Sequence, residues 1–207
     1  MARTSPIIGL LISSAVVLGG ASAELSAQTI HRVAAGGDVQ GALNAAQPGD
    51  TIALAAGATY VGNFVLPVKG GDQFITLRSD APDDLLPQGR MDPAYAPRLA
   101  RLRSPNTEPA LRTAAGAHHY RLMFLEFAAN ANGAGDVIAL GDGSSRQNAL
   151  STVPYELIVD RVYVHGDPAV GQKRGIGLNS ASTAILNSYI ADIKAVGQDS
   201  QAIGGGN

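Results

Sequence analysis

The 207-residue sequence has no cysteine and no tryptophan. Lack of cysteine excludes a disulfide framework, a thiol nucleophile and a Cys-ligated zinc. Aromatic residues make up only 5% and charged residues only 15%, and the Glu and Lys that a helical bundle would want are scarce. The net charge is −2, with no basic stripe. That leaves nucleic acid without an electrostatic footprint. What the chain does have is Gly (25) and Pro (11), with many Ala, Ser and Thr, a composition suited to short strands joined by tight turns. One domain of this length buries a sizeable core without disulfides or metals.

The N-terminus reads as an export signal. Arg3 gives a positive start, Ile7 to Leu18 is apolar, and Ala21-Ser22-Ala23 is an A-x-A cleavage site. The apolar run is too short for a membrane span, which needs about 20 such residues. Residues 1–23 are therefore expected to be removed, leaving a secreted, periplasmic or extracellular protein with no membrane segment.

The mature chain opens with a lead-in over 24–37, expected to be partly extended. Gly36-Gly37 breaks it, and Asp38 caps a short helix, Val39 to Ala46, with Val39, Ala42 and Leu43 on one face. Gln47-Pro48-Gly49-Asp50 makes a turn. Alternation then predicts strands at Thr51 to Leu54, at Tyr60 to Leu66 as one piece, and at Phe74 to Arg78.

Further on the strands repeat. Leu125-Glu126-Phe127, Val162-Tyr163-Val164 and Ser188-Tyr189-Ile190 each follow an apolar stretch. Val162 and Ser188 lie 26 residues apart, and Leu125 and Val162 lie 37 apart. The extra length is assigned to a Gly- and Asn-rich loop insertion between Ala128 and Pro154. Coils of similar size with tolerated insertions describe a parallel β-solenoid, in which each coil continues the core of the last about 4.8 Å away. Asn187 is either part of a polar ladder within the coils or a solvated turn residue.

Asp38 to Tyr60, reading D-V-Q-G-A-L-N-A-A-Q-P-G-D-T-I-A-L-A-A-G-A-T-Y, resembles the first coil of the pectate-lyase-like superfamily of right-handed parallel β-helix proteins. Phe74 to Ser79, Glu156 to Gly166 and Thr183 to Ile193 are similar to the repeated strands of those families. The resemblance covers most of Asp38 to Ile193. It implies an all-β, single-stranded right-handed parallel β-helix over 38–207, with Val39 to Ala46 capping its first edge. The tail Gly204-Gly205-Gly206-Asn207 carries no recognisable cap, so further coils are expected to follow in a longer chain. Members of this superfamily include polysaccharide lyases, in which a base removes a proton beside a uronate and calcium or another cation neutralises the carboxylate. No cluster of acidic ligands of that kind stands in this sequence, so no metal-binding residue is assigned; no cofactor is certain, and calcium is left open.

The chemistry-bearing residues gather late in the chain. The coil alignment sets His165 over Ala191 and Gly166 over Asp192. His165, Lys173 and Arg174 are the candidate catalytic residues: the first as a base, the others to hold a carboxylated sugar. Asp167, Asp192 and Lys194 are the candidate substrate-binding residues. The competing reading makes all six solvated turn charges. His118-His119 is not expected to share a metal, because neighbours on a strand face opposite ways. Gly141-Asp142-Gly143-Ser144-Ser145 lacks nucleophile spacing, Gly175-Ile176-Gly177 lacks the rest of a dinucleotide fingerprint, and Asp80 to Pro97 reads as a surface loop. Three functions follow: an exported, monomeric polysaccharide lyase or hydrolase; a non-catalytic extracellular glycan-binding or structural solenoid; or a portion supporting a site in further coils.

Overall fold

The computed structural model describes Met1, residues 28–195 and residues 197–206; the export signal lies outside them. No helix among the described residues is long and apolar enough to cross a membrane.

The first strand, β1 (Ile30–Val33), runs into the helix α1 (Val39–Ala45). The helix forms where expected. Asp38 accepts a hydrogen bond from the Gly41 N–H at 2.8 Å, and Val39 and Leu43, one turn apart, are buried. After Asp50 come β2 (Thr51–Leu54), β3 (Thr59–Val61) and β4 (Phe64–Leu66), the three sides of a first coil. The second coil is β5 (Ile75–Ser79), β6 (Ala100–Arg103) and β7 (Leu111–Thr113). The third is β8 (His118–Met123), β9 (Leu125–Ala128) and β10 (Asp136–Leu140). The fourth is β11 (Tyr155–Asp160), β12 (Tyr163–His165) and β13 (Arg174–Leu178), and the fifth is β14 (Ala181–Leu186), β15 (Tyr189–Ala191) and β16 (Gln201–Gly204).

Strands on the same side of successive coils pair in parallel. The first sheet is β1-β2-β5-β8-β11-β14, the second β3-β6-β9-β12-β15 and the third β4-β7-β10-β13-β16. This is a right-handed parallel β-helix, the architecture that the resemblance implied. Its register builds inward ladders in every sheet. Ile52, Leu77, Leu122, Val159 and Ile185 stack in the first. Tyr60, Leu102, Phe127, Val164 and Ile190 stack in the second. Phe64, Leu111, Ile138, Ile176 and Ile203 stack in the third. Each such side chain, fully buried, contributes roughly 1.5–3 kcal/mol.

The leading edge is closed by the chain before it. β1 covers the edge of β2. Gln40 of the helix satisfies β4, its side chain accepting from the Val65 N–H and donating to the Val65 carbonyl. Buried Asp50 fixes this start by accepting from the amides of Gln47 and Thr29 and meeting His31 Nε2 at 2.8 Å. Burial works to raise its carboxyl, but those contacts outweigh it and hold it below the usual value. Tyr60 closes the coil by donating to the Val33 carbonyl at 2.7 Å.

Four expectations are corrected. Tyr60 to Leu66 is two strands, because Asn63 turns the chain: its amide bonds to Ser104, Asn106 and the Pro109 carbonyl. The stretch from Ala128 to Pro154 is not all insertion; it holds β10, and the added length is 141–154. The Asp80 to Pro97 segment does more than cover the surface. It forms two short 3-10 helices (Asp83–Leu85, Pro93–Arg98), and this segment with its flank buries Ala81, Leu86, Met91 and Leu99 against Phe124. His118 and His119 do not diverge. His119 has a φ of 56°, which breaks the strand alternation and brings the two Nδ1 atoms to 2.7 Å.

The same left-handed conformation recurs at Glu156 and Ser182, and again at Phe124, Arg161 and Asn187. Both sets align coil on coil. The second set makes the corner between first and second sheets, and Asn187 is an exposed member of that corner. Arg161 there lies over the Phe124 ring at 4.4 Å and grips Asp160 through two hydrogen bonds.

Candidate functional site

Two hollows lie on adjacent outer faces. The larger, about 590 Å³, runs along the third sheet. Outward positions of that sheet stack as Val65, Arg112, Ala139 and Gly177. Small side chains at Ala139 and Gly177 leave the floor low. One wall comes from the turn carrying Glu108 and Pro109, the other from the 141–154 insertion with Arg146, Gln147 and Pro154. Three hydrogen bonds hold the insertion, one of them internal to it. The Gly141 N–H donates to Thr113 Oγ1 at 2.8 Å, and Gln147 accepts from the Asp142 N–H and donates to the Asn179 carbonyl. Gly141 is required at the start, because at its φ of 92° an added Cβ would overlap the Asn179 carbonyl.

The charges in this groove are of both signs. Arg112 is exposed and has no carboxylate partner among the described residues. Arg146 pairs with Asp142 at 3.2 Å. Asp136 folds across Gly177, which has no Cβ to obstruct it, and Arg174 reaches Asp136 Oδ1 at 3.1 Å. Burial pushes the Asp136 carboxyl above its usual value, and the charges of Arg174 and Lys173 do not fully reverse that. A carboxyl so placed can hold or accept a proton nearer neutrality than an ordinary aspartate.

The smaller hollow, about 360 Å³, lies on the second sheet between Arg101, Arg103, Asn132, His165 and the Asp167 turn. Glu126 is buried beneath it. Its Oε1 receives Arg101 Nε at 2.8 Å and His165 Nε2 at 2.9 Å. Burial favours the protonated acid, yet the hydrogen bonds from His165 and Arg101 outweigh it and hold the carboxyl below its usual value. Burial likewise disfavours the imidazolium of His165, but Glu126 and the Gly166 carbonyl, 3.0 Å from Nδ1, raise its pKa. Tyr163 stacks on His165 with ring centres 4.5 Å apart.

The six sequence-predicted residues therefore separate. His165 and Asp167 belong to the second-sheet hollow. Arg174 is on the third sheet with Asp136 and Gln201, and Lys173 acts on the same carboxyl. Asp192 is an exposed turn residue with a φ of 54° whose charge reaches Tyr163. Lys194 is exposed and acts on Asp167. Sequence reasoning missed Arg101, Arg112, Glu126 and Asp136. The 37-residue spacing that sets Leu125 beside Val162 also sets Glu126 beside Tyr163, so Glu126 was within reach of the repeat. The third sheet had no such signal.

Among the described residues no three His, Asp or Glu side chains converge as a metal cage. Asp136 and Asp142 each face an arginine, a donor set that does not suit calcium.

Two solved structures resemble this coil stack. An alginate lyase from Paenibacillus sp. is 18% identical at a TM-score of 0.48, the match covering 78% of this chain and 57% of that one. The PL6 family alginate lyase AlyGC, in an arginine-to-alanine mutant, is 19% identical at a TM-score of 0.44, over 80% of this chain and 19% of that one. The chain thus spans little more than half of one and about a fifth of the other. No family model and no curated protein matches the sequence. What the protein does has to be read from its own grooves.

Proposed function

We propose that the protein is an exported carbohydrate-active enzyme that cleaves an acidic polysaccharide laid in the third-sheet groove. The observation that carries this reading is Asp136. It is a carboxyl with a raised pKa on the wall of an open groove, a few residues along the sheet from the unpaired cation of Arg112. Elimination beside a uronate needs two things: a group that moves a proton and a positive charge that stabilises the carboxylate as the neighbouring carbon loses its proton. Asp136 serves the first need and Arg112 the second. Arg174 and Lys173 set the charge of Asp136. The groove is lined by Val65 of the first coil, Arg112 of the second and Ala139 of the third, a run along the stack that suits a polymer rather than a small molecule.

A second reading has its own support: Asp136 Oδ1 is already engaged by Arg174, as in a groove that binds without reacting. The two are separated by incubating the protein with pectate, alginate and glycosaminoglycans while following unsaturated-uronate absorbance and new reducing ends. The enzyme reading expects product, at least 100-fold less in Asp136→Asn and Arg112→Ala, and a similar loss in Gly177→Ala, whose new Cβ would displace the Asp136 carboxylate. Absorbance with reducing ends marks a lyase; reducing ends alone mark a hydrolase. Saturable binding with neither product assigns the groove to a binding protein.

A further inference from the structure

The second-sheet hollow has a construction that the third-sheet groove does not use. Register stacks Arg101, Glu126, Tyr163 and Tyr189 in one outward column. It stacks Arg103, Ala128, His165 and Ala191 in the next. Ala128 therefore stands between Arg103 and His165, one coil from each. Two cationic positions about 10 Å apart along the axis flank a floor that rises no higher than a methyl group.

The charge balance there is set by geometry. The two atoms facing the His165 ring, Glu126 Oε1 and the Gly166 carbonyl oxygen, are both acceptors. A ring that makes both bonds carries both protons. Glu126 is enclosed between Arg101 and His165, and Asp167 Oδ1 accepts from the Ala169 and Val170 amides. Arg103 is exposed and has no carboxylate partner among the described residues. Three cations thus line a hollow in which one of the two carboxylates is buried below the floor and the other is turned onto its own loop.

We propose that this hollow is an anion site that takes a carboxylate group over Ala128, with Arg103 and the protonated His165 as its contacts and Glu126 and Arg101 as positioning residues that keep His165 charged. The site is separate from the third-sheet groove and does not rest on the reading given for it. Asn132, exposed at the rim with no partner among the described residues, offers an amide to a hydroxyl beside the carboxylate.

The test uses the full chain at low salt, with galacturonate as probe and neutral galactose, which lacks only the carboxylate, as control. Amide shifts in 15N spectra follow the titration. Galacturonate is expected to move Ala128 and Gly166 saturably, and galactose to leave them in place. Arg103→Ala, an exposed change outside the packing, and His165→Gln should each weaken the response at least 10-fold. Arg112→Ala should not alter it. The groups facing His165 are Glu126, Arg101 and Tyr163 on its sheet and Asp167 in the adjoining turn, with Lys194 behind Asp167. Of these, His165 is the one expected to lose its charge above its usual value of 6.5, so affinity should fall as pH rises past that point. Glu126→Gln should shift that fall to lower pH, which a purely structural role would not do. Binding that survives Arg103→Ala, binding of galactose as tight as that of galacturonate, or no saturable shift at Ala128 overturns the proposal.

Discussion

The most informative residue is Glu126. A carboxylate removed from water costs several kcal/mol unless its partners replace the solvent. Here the partners are Arg101 and His165, both reaching the same oxygen. Linkage then fixes how stability follows pH. Glu126 has a lowered folded pKa, so its contribution is present above the usual 4.5 and fades as pH falls through the folded value. His165 has a raised folded pKa, so its contribution is complete below 6.5 and fades as pH rises through the folded value. The pair should stabilise the fold most between those limits. Urea midpoints measured across pH are expected to decline on the alkaline side in the native chain, and His165→Gln should remove much of that decline. The same change should cost about 1–3 kcal/mol at pH 6, because it leaves a buried carboxylate short of a charged donor.

At the scale of the element, the short helix and the long insertion have opposite duties. The helix closes an edge. Without it β4 would present free N–H and C=O groups, a template for association with another chain. Asp38→Ala removes the side-chain cap and should cost about 1 kcal/mol, read as a lower thermal midpoint with the β-sheet circular dichroism unchanged. The 141–154 insertion adds little to the core, since most of its residues are exposed or half-exposed. It walls the groove instead. Replacing 142–153 by a short glycine-serine link should keep the fold and weaken polysaccharide binding at least 10-fold, measured by isothermal titration.

The whole molecule is a stack, so its stability is close to a sum over coils and their interfaces. The inner coils are sealed on both sides. In the ladder of the first sheet Ile52, Leu77, Leu122 and Val159 are buried, whereas Ile185 is only half-buried. Hydrogen exchange should be slowest in β5, β8 and β11, whose inward residues are sealed by a coil on each side. Leu122→Ala, in the middle of the stack, should cost about 2–5 kcal/mol, and Ile185→Ala less than half of that, as chemical denaturation would show.

What the sequence determined by itself was the architecture and its beginning. The alternation of apolar residues, the Gly- and Pro-bearing turns and the 26- and 37-residue spacings need only one dimension to be read, because a solenoid is itself nearly one-dimensional. Asp38 likewise acts through a neighbour three residues away. The third sheet was less legible. Asp136–Leu140 lies in a stretch assigned to a loop insertion, and Gly175-Ile176-Gly177, weighed only as an incomplete dinucleotide fingerprint, lies within the strand Arg174–Leu178. Only the stacked coils show why: Gly177 is small so that Asp136 can lie across it. The left-handed residues were also invisible, because His119 and Phe124 carry nothing in their identity that announces a positive φ. Above all, the grouping of charges was decided in three dimensions. His165 and Arg174 are nine positions apart but lie on different faces of the coil, while His165 and Glu126 are 39 apart and share a hydrogen bond. Sequence neighbours are carried round a corner to different sheets, and residues one coil apart are brought within contact distance.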